Sequence, residues 1–214
     1  MRLLDLFCGA GGCSVGYHRA GFTDIVGVDN RPMPRYPFTF VQADALEYLA
    51  RHGHEFDAIH ASPPCQAYSI ARNNGAVKKV PKLVGKVRQL LEKSHRHWVI
   101  ENVPGSPLGF SAVLCGASFG LGVCGFDLAR HRVFEASVFL MTQPCQHRRG
   151  KTIGVYGNGT NSFHRKLFGR CVSVDELRQA MGIDWMVRKE LSQAIPPAYT
   201  EFIGRQLLDV LREA

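Results

Sequence analysis

The chain has 214 residues, 45% of them hydrophobic and 21% charged, which fits one compact domain with a sizeable core and excludes a disordered chain. Lysine and arginine exceed aspartate and glutamate by 26 to 18, and the formal charge of +8 favours a polyanionic partner such as nucleic acid. No stretch approaches the roughly 18 to 20 apolar residues of a membrane-spanning helix, and no secretory leader is evident. The seven cysteines are an odd number spread along the chain, which favours reduced thiols in a cytoplasm.

Short apolar segments alternate with helical patterns along the first hundred residues. Helices are predicted at 14–20 and 84–93. The predicted strands are 2–7, 25–28, 38–41, 56–59 and 98–100. Strands that alternate with helices form mostly parallel sheets, and ligands of such sheets bind at the carboxyl ends of the strands. We therefore expect an α/β fold with its site where these strands end.

Beyond about residue 110 the pattern changes to short segments punctuated by glycine. The run Arg130–Glu135 predicts part of an antiparallel strand pair. Helices are predicted at 174–181, with Ser173 or Asp175 as the cap, and at 199–212.

The chain divides by composition into three predicted parts. Residues 1–140 form the main domain. Residues 141–172, rich in basic residues, glycine and asparagine and poor in periodic apolar positions, form a small insertion. Residues 173–214 supply helices that complete the main domain.

A glycine-rich turn, Cys8-Gly-Ala-Gly-Gly12, follows Phe7 between the first predicted strand and helix. Glycine lets the backbone approach a ligand closely, and a helix amino terminus favours a negative group. Asp29 ends the second strand, where a carboxylate can accept hydrogen bonds from ribose hydroxyls, and Asp44 follows the third and suits an adenine amino group. Taken alone, the turn could lack a ligand and each aspartate could be a solvated turn residue. The occurrence of the glycine turn, Asp29 and Asp44 in this order along the chain favours an adenosine-containing cofactor.

The segment Ser62-Pro-Pro-Cys-Gln66 follows the fourth predicted strand. Two prolines restrict the backbone and leave Cys65 at a strand carboxyl end, where a thiol can face a pocket. A buried structural cysteine is the ordinary alternative. Glu101 ends the neighbouring predicted strand, so a nucleophile and an acid would border one crevice and act on one substrate, although Glu101 alone is also typical of a surface turn.

Four segments in order, with a matching carboxy-terminal segment, resemble the motifs of the DNA cytosine-5 methyltransferase family. They are Asp5-Leu-Phe-Cys-Gly-Ala-Gly-Gly12, Pro64-Cys-Gln66, Glu101-Asn-Val103 and Arg130-His-Arg132. The resemblance implies a Rossmann-like, S-adenosylmethionine-dependent methyltransferase fold with a very short target-recognition insertion. It also implies methyl transfer to C5 of a cytosine flipped out of double-stranded DNA, through a covalent bond between Cys65 and C6.

The resemblance assigns a role to each matching residue. For catalysis it implies Cys65 as nucleophile, Glu101 as the acid at cytosine N3, Arg130 and Arg132 as braces, and Asn102 as the residue that positions the catalytic loop. For the cofactor it implies Phe7, Gly9, Gly11, Gly12, Asp29, Asp44, Pro63, Pro64 and Gln193.

The sequence departs from the family pattern at three places. Leu128 stands where the family usually has a glutamine, and Gln193, in the run Ser192-Gln-Ala-Ile-Pro-Pro197, stands where asparagine is common. The recognition region between Arg132 and Trp185 is also short. Phosphate contacts position a protein without reading bases, so we expect short or relaxed sequence specificity.

Basic, amide and hydroxyl side chains after the nucleophile and in the insertion are the predicted DNA contacts, with a solvated basic surface as the alternative. They are Gln66, Ser69, Lys78, Lys79, Lys82, Arg148, Arg149, Lys151, Arg165 and Lys166. The stretch 73–86 resembles the family's mobile catalytic loop, which would close over the flipped base.

A metal site is not expected, since Cys145-Gln-His147, with Cys124 or Cys171 as further candidates, lacks paired C-x-x-C spacing. Three other functions stay open: an RNA cytosine-5 methyltransferase of the same fold, a non-catalytic DNA-binding or regulatory subunit that retains the cofactor site, and an enzyme with a modified sulfonium donor. A monomer in a bacterial or phage-infected cytoplasm, without membrane contact, is the favoured setting.

Overall fold

The computed structural model describes residues 1–68, 81–156 and 162–213, and builds them around a seven-stranded sheet. The strands are β1 (Arg2–Leu6), β2 (Asp24–Asp29), β3 (Thr39–Gln42), β4 (Ala58–Ala61), β5 (His97–Asn102), β6 (Ser111–Leu114), β7 (Gly122–Val123), β8 (Phe126–Leu128), β9 (Arg132–Ala136) and β10 (Thr152–Ile153). The helices are α1 (Gly12–Ala20), α2 (Ala45–His52), α3 (Val84–Lys93), α4 (Ser162–Phe168), α5 (Val174–Met181), α6 (Arg188–Gln193) and α7 (Pro197–Glu213).

The large sheet has the strand order β3-β2-β1-β4-β5-β9-β6. Its first five strands are parallel, with β1 between β2 and β4. Strand β9 enters antiparallel to both β5 and β6, which confirms the predicted change of direction in the second half of the chain. The carboxyl ends of β1, β2, β4 and β5 therefore meet at one edge of the sheet.

Helices cover both faces of this sheet, since successive residues of a strand point to opposite sides. Leu3 of β1 packs in a hydrophobic cluster with residues of α1 and α7, whereas Leu4 and Leu6 pack in a cluster with residues of α2 and α3. The α/β prediction is confirmed. Within the described ranges, no helix is both long enough and apolar enough to cross a membrane.

A second, three-stranded sheet has the order β10-β8-β7. Its buried side chains are part of a third hydrophobic cluster. Val123, Leu128 and Ile153 of the sheet pack there with helix residues such as Leu177 and Leu191. This cluster draws on all three parts into which the composition divides the chain. The boundaries at 140 and 172 stay a prediction.

Helix boundaries follow local backbone chemistry. Helix α5 begins and ends where predicted, and Ser173 caps it by accepting from the Glu176 amide while Glu176 accepts from the Ser173 amide. Helix α1 begins at Gly12, two residues before the predicted start. The prediction started too late because glycine has a low intrinsic helix propensity, so the sequence gives no sign of a helix at that residue. Helix α2 was not predicted.

A buried polar network ties β1 to α1. The Ser14 hydroxyl donates to the Asp5 carboxyl at 2.5 Å and lies 2.6 Å from the Tyr36 hydroxyl, which therefore donates to it. Asp5 and Ser14 are both fully buried. Burial raises the pKa of Asp5 to about 7, with the Ser14 hydrogen bond opposing the change and the Asp29 charge adding to it.

Helices α1 and α7 approach closely at Gly16, and this contact yields a stability prediction. A Cβ at this position would lie 2.0 Å from Thr200 Oγ1 and 2.2 Å from the Pro197 carbonyl oxygen. We expect Gly16→Ala to lower the free energy of unfolding by about 2 kcal/mol or more, since overpacking outweighs the better helix propensity of alanine. Chemical denaturation measures the change.

Gly85 in α3 is the matched control, because a Cβ there meets nothing within 4 Å. Gly85→Ala should leave stability unchanged or slightly increased. Equal effects of the two substitutions would contradict the packing argument.

The Asp5 network yields a pH prediction. The folded-state pKa of about 7 exceeds the value of about 3.9 expected in the unfolded chain, so the folded state binds the proton more tightly between these pH values. The free energy of unfolding should therefore decrease by up to about 1.4 kcal/mol per unit as pH rises from about 4 to 7. Asp5→Asn should lose this component, and the exposed Asp209→Asn should keep it. Parallel stability curves for wild type and Asp5→Asn from pH 5 to 7 would contradict the assignment.

Candidate active site

The glycine turn leads the chain from β1 into α1 through left-handed backbone. Phe7, Gly9 and Gly11 have φ values of 59°, 51° and 85°. Gly11 is the residue before α1, and no side chain of the described chain caps that helix. A Cβ at Gly9 would meet nothing within 4 Å, so the turn faces open space at the carboxyl edge of the sheet.

Asp29 at the end of β2 holds this turn against the neighbouring strand. One carboxylate oxygen accepts from the Gly9 amide at 3.2 Å and the other from the Arg31 amide at 3.1 Å. The Asp29 side chain is largely buried beside the glycine turn, so little of its carboxylate is in contact with bulk water. Asp44 is exposed and caps α2, with the same oxygen accepting from the Leu46 and Glu47 amides. Their roles toward a cofactor stay predictions.

The carboxy-terminal part of the chain lies against the other side of the turn. The Trp185 indole donates to the Ala10 carbonyl at 2.8 Å. A Cβ at Gly12 would lie 2.4 Å from the Ile195 carbonyl oxygen, so only glycine fits there. Gln193 ends α6 in an exposed position, and its contact with the cofactor stays a prediction. The sequence motifs do not mark Trp185, although an indole needs a hydrogen-bond acceptor when it is partly buried.

Cys65 opens a single 3-10 turn directly after the Pro63-Pro64 segment at the end of β4. Its side chain is half-buried. Burial raises the pKa of the Cys65 thiol, the charge of Glu101 raises it further, and the charges of Arg132 and Arg130 lower it. The predicted nucleophile is therefore within electrostatic reach of the predicted acid and of both arginines.

Glu101 of β5 is 5% exposed and forms an ion pair with Arg132, with a nitrogen-to-oxygen distance of 2.9 Å. Burial raises the pKa of Glu101, while Arg132, Arg130 and a hydrogen bond from Ser62 oppose the shift. A carboxyl group of this kind can carry a proton or share one with a substrate nitrogen.

Arg130 and Asn102 tie the site to its surroundings. The fully buried Arg130 guanidinium donates to the carbonyl oxygens of Val155, Ser192 and Ala194. The Asn102 amide donates to the Pro63 carbonyl at 3.0 Å and so links the end of β5 to the segment that carries Cys65. The bracing role of Arg130 and the loop-positioning role of Asn102 stay predictions.

His60 of β4 belongs to the site and is not marked by any motif. It is fully buried, and burial lowers its pKa to about 3, so the ring is neutral near pH 7. One ring nitrogen lies 3.0 Å from the Tyr17 hydroxyl and the other 2.8 Å from the Ser62 hydroxyl. Because Ser62 in turn hydrogen-bonds to Glu101, a chain of polar contacts connects α1 to the acid. The position of a histidine within an otherwise apolar strand is the sequence signal that could have marked His60 as a candidate site residue.

The predicted DNA contacts are exposed where the structure describes them. This set comprises Gln66, Lys82, Arg148, Arg149, Lys151, Arg165 and Lys166. Arg148 already pairs with Asp127 at 2.9 Å, which makes it less available to a phosphate. Ser69, Lys78 and Lys79, and most of the predicted loop at 73–86, lie outside the described residues. Leu128, in place of the family's glutamine, is buried in the third hydrophobic cluster.

The sequence predicts no metal site at Cys145 and His147, but the structure places both residues in a group of potential metal ligands. Their ligand atoms, together with those of Cys115 and His131, all lie within 4.8 Å of one another. Cys124 and Cys171, the partners considered from the sequence, instead contact Glu176 and Arg165. Spacing along the chain missed this group because three separate segments contribute to it.

Comparisons with known proteins agree with the fold and the motifs. Residues 1–106 match the family model described as C-5 cytosine-specific DNA methylase. The Type II methyltransferase M.XorII of Xanthomonas oryzae pv. oryzae is 31% identical over 122 residues, which are 50% of this chain and 29% of that protein. The Type II methyltransferase M.HgiDI of Herpetosiphon aurantiacus is 32% identical over 150 residues, 64% of this chain and 47% of that protein.

Among solved structures, the S. pombe Dnmt2 methyltransferase aligns with a TM-score of 0.66 and 13% identity over 99% of both chains. The predicted methyltransferase fold is confirmed. The chain spans less than half the length of either curated relative named above. The family indicates S-adenosylmethionine as the cofactor. The motifs in their order, the sheet that brings them to one edge and the match over residues 1–106 agree, and the chain belongs to the C-5 cytosine-specific DNA methylase family.

Proposed function

We propose that this chain transfers a methyl group from S-adenosylmethionine to C5 of cytosine in double-stranded DNA, with Cys65 as the nucleophile. The observation that carries the proposal is the convergence of Cys65, Glu101 and Arg132 at the edge of the sheet where the glycine turn also opens. The names of the curated relatives, Type II methyltransferases, and of the matching family support the reaction class.

The turn at the end of β1 fits an adenosine-containing sulfonium cofactor. Open space in front of Gly9, an uncapped helix amino terminus and the buried Asp29 carboxylate supply room for close approach, amide donors for a carboxylate and acceptors for hydroxyl groups. Phe7, Gly9, Gly11, Gly12, Asp29, Asp44, Pro63, Pro64 and Gln193 form the proposed binding set. When bound, the cofactor supplies an electrophilic methyl group on a positively charged sulfur.

The residues of this chain make cytosine C5 nucleophilic. The Cys65 thiolate adds to C6, the C5=C6 electron pair shifts to the C4–C5 bond, and the C4=N3 pair moves to N3, where Glu101 delivers a proton or donates a hydrogen bond. The raised pKa of Glu101 suits a group that gives up or shares a proton. Cytosine N3 accepts a hydrogen bond only from a protonated Glu101, and the protonated side chain has no charge that raises the pKa of Cys65, so substrate binding itself favours the thiolate.

The arginines keep the acid in place during this sequence. Arg132 holds Glu101 from β9, and Arg130 anchors the same segment to the carbonyl oxygens of the carboxy-terminal part. After the methyl group is bonded to C5, a base removes the C5 proton, the C5=C6 bond re-forms and the Cys65 thiolate leaves. Water is the proposed base. The target cytosine must be flipped out of the duplex, because C5 and C6 are stacked inside it.

The basic surface supports backbone contact rather than detailed base reading. Arg149, Lys151, Arg165 and Lys166 are exposed on the short segment after β9. Lys and Arg contacts to phosphates supply affinity that is independent of sequence. We therefore propose that the chain recognises a short DNA sequence or has relaxed sequence specificity.

The nucleophile can be tested by trapping its adduct. In the presence of S-adenosylmethionine, methyl transfer to 5-fluorocytosine in duplex DNA leaves fluorine at C5, which cannot leave as a proton does, so elimination stops and the enzyme stays bonded to C6. We expect wild type to form a complex that survives denaturing electrophoresis, and Cys65→Ala to form none and to lose methyl transfer to unmodified duplex by about a thousandfold or more.

Cys124→Ala is the control, since this exposed cysteine contacts Glu176, which has no predicted role in the site. It should keep both the adduct and the transfer. Methyl transfer to transfer RNA with none to duplex DNA would replace the DNA substrate by RNA. Cofactor binding without transfer to either would reject the enzyme in favour of a non-catalytic binding subunit.

The electrostatic link between acid and thiol predicts a reactivity change without substrate. Because the Glu101 charge raises the pKa of Cys65, Glu101→Gln should increase the thiolate fraction at a given pH and shift the pH profile of Cys65 alkylation by iodoacetamide toward lower pH. Peptide mass spectrometry reports alkylation of Cys65, with Cys171 in the same sample as the internal standard. Glu47→Gln, an exposed change, should leave the profile unchanged, and an unshifted profile in Glu101→Gln would contradict the coupling.

A further inference from the structure

Four potential metal ligands converge at one end of the antiparallel part of the large sheet. Cys115 follows β6, His131 precedes β9, and Cys145 and His147 lie in the irregular segment after β9. Each offers one ligand atom, and these atoms all lie within 4.8 Å of one another. The group is distinct from Cys65 and Glu101, and the proposed methyl-transfer mechanism does not use it.

The distances suit a small tetrahedral ion. Zinc bonds of about 2.3 Å to sulfur and about 2.0 to 2.1 Å to nitrogen place ligand atoms roughly 3.3 to 3.8 Å apart. Cys115 Sγ lies 3.6 Å from His147 Nδ1, and Cys145 Sγ lies 3.3 Å from His131 Nε2. Cys145 Sγ and His147 Nδ1 are 2.7 Å apart and would separate slightly around an ion.

We propose that Cys115, His131, Cys145 and His147 bind one structural zinc ion. Two thiolates and two imidazoles form a ligand set that zinc takes in structural sites, and four protein ligands leave no position for water or substrate. On binding, both thiols release their protons to solvent, and the two thiolate charges balance the charge of the ion.

The segment that carries Cys145 and His147 has few other anchors. Residues 137–151 contain no helix or strand in the structure. The Pro144 carbonyl accepts from Ser118, the Met141 amide donates to Gln206, and Arg148 pairs with the partly buried Asp127 of β8. A metal ion would cross-link this segment, which includes the first residues of the basic insertion, to the end of β6 and the start of β9.

The position of His131 gives the site a second consequence. It lies between Arg130, which binds the carboxy-terminal carbonyls, and Arg132, which pairs with Glu101. A ligand bond at His131 would therefore fix the backbone from which both arginines project. The ion would act on the candidate active site as a positioning element, without contact with the reacting atoms.

The first measurement is the metal content of the folded chain. After removal of bound metal with a chelator and return of ZnCl2, elemental analysis should give one zinc per wild-type chain. Cys145→Ser and His147→Ala should each retain a small fraction of that. Cys124→Ser and Cys171→Ser, exposed cysteines outside the group, should keep one zinc. Replacement by CoCl2 should give the thiolate-to-cobalt absorption and visible spectrum of a tetrahedral site in wild type and lose it in Cys145→Ser.

A second measurement separates loss of the site from loss of folding. Circular dichroism should show Cys145→Ser and His147→Ala folded, because both residues lie in an irregular segment at the surface. Added ZnCl2 should raise the thermal midpoint of the metal-free wild type and leave that of the two variants unchanged. Folded wild type that binds no zinc, zinc binding that survives both substitutions, or a Cys115–Cys145 disulfide in the reduced-purified protein would overturn the proposal.

Discussion

The buried ion pair between Glu101 and Arg132 is the constraint on which the rest of the site depends. Two charges removed from water are tolerated only when each has a partner and further hydrogen bonds. Here Ser62 supplies a hydrogen bond to the acid, and Arg130 adds a second positive charge from the same segment. The pair also requires β9 to lie next to β5, which it does with Phe134 opposite Glu101. The antiparallel strand is therefore part of the site as well as of the fold.

The parallel half of the sheet brings together residues that are far apart in the chain. Strands β1, β2, β4 and β5 end at one edge, and the glycine turn, Asp29, the Cys65 segment and Glu101 follow or complete those ends. Each group comes from a different strand end, so the proposed cofactor turn, nucleophile and acid can meet without a long loop for any of them. The polar contacts from Tyr17 through His60 and Ser62 to Glu101 then tie the first helix to the acid.

Sequence reasoning worked where the signal is local and failed where it depends on distant packing. Apolar strands, the glycine turn and the Ser173 cap are encoded by neighbouring residues, so β1, β5 and α5 could be predicted. His60 contacts α1, and Trp185 contacts the glycine turn, through partners more than 40 residues away. The metal-ligand group was missed for the same reason, since Cys115 and His131 join Cys145 only when β6 and β9 pair.

The packing of the last helix against the first sets an order for folding during synthesis. Gly12 and Gly16 at the start of α1 contact the backbone of Ile195 and Pro197, and Thr200 donates to the Cys13 carbonyl. A chain that leaves the ribosome from its amino terminus makes the glycine turn before residues 195–201, which cover the turn and α1, have emerged. Until then, one face of α1 stays open to solvent or to a chaperone, because its partner has not been translated. The nascent chain can therefore complete the surroundings of the glycine turn only late in its synthesis.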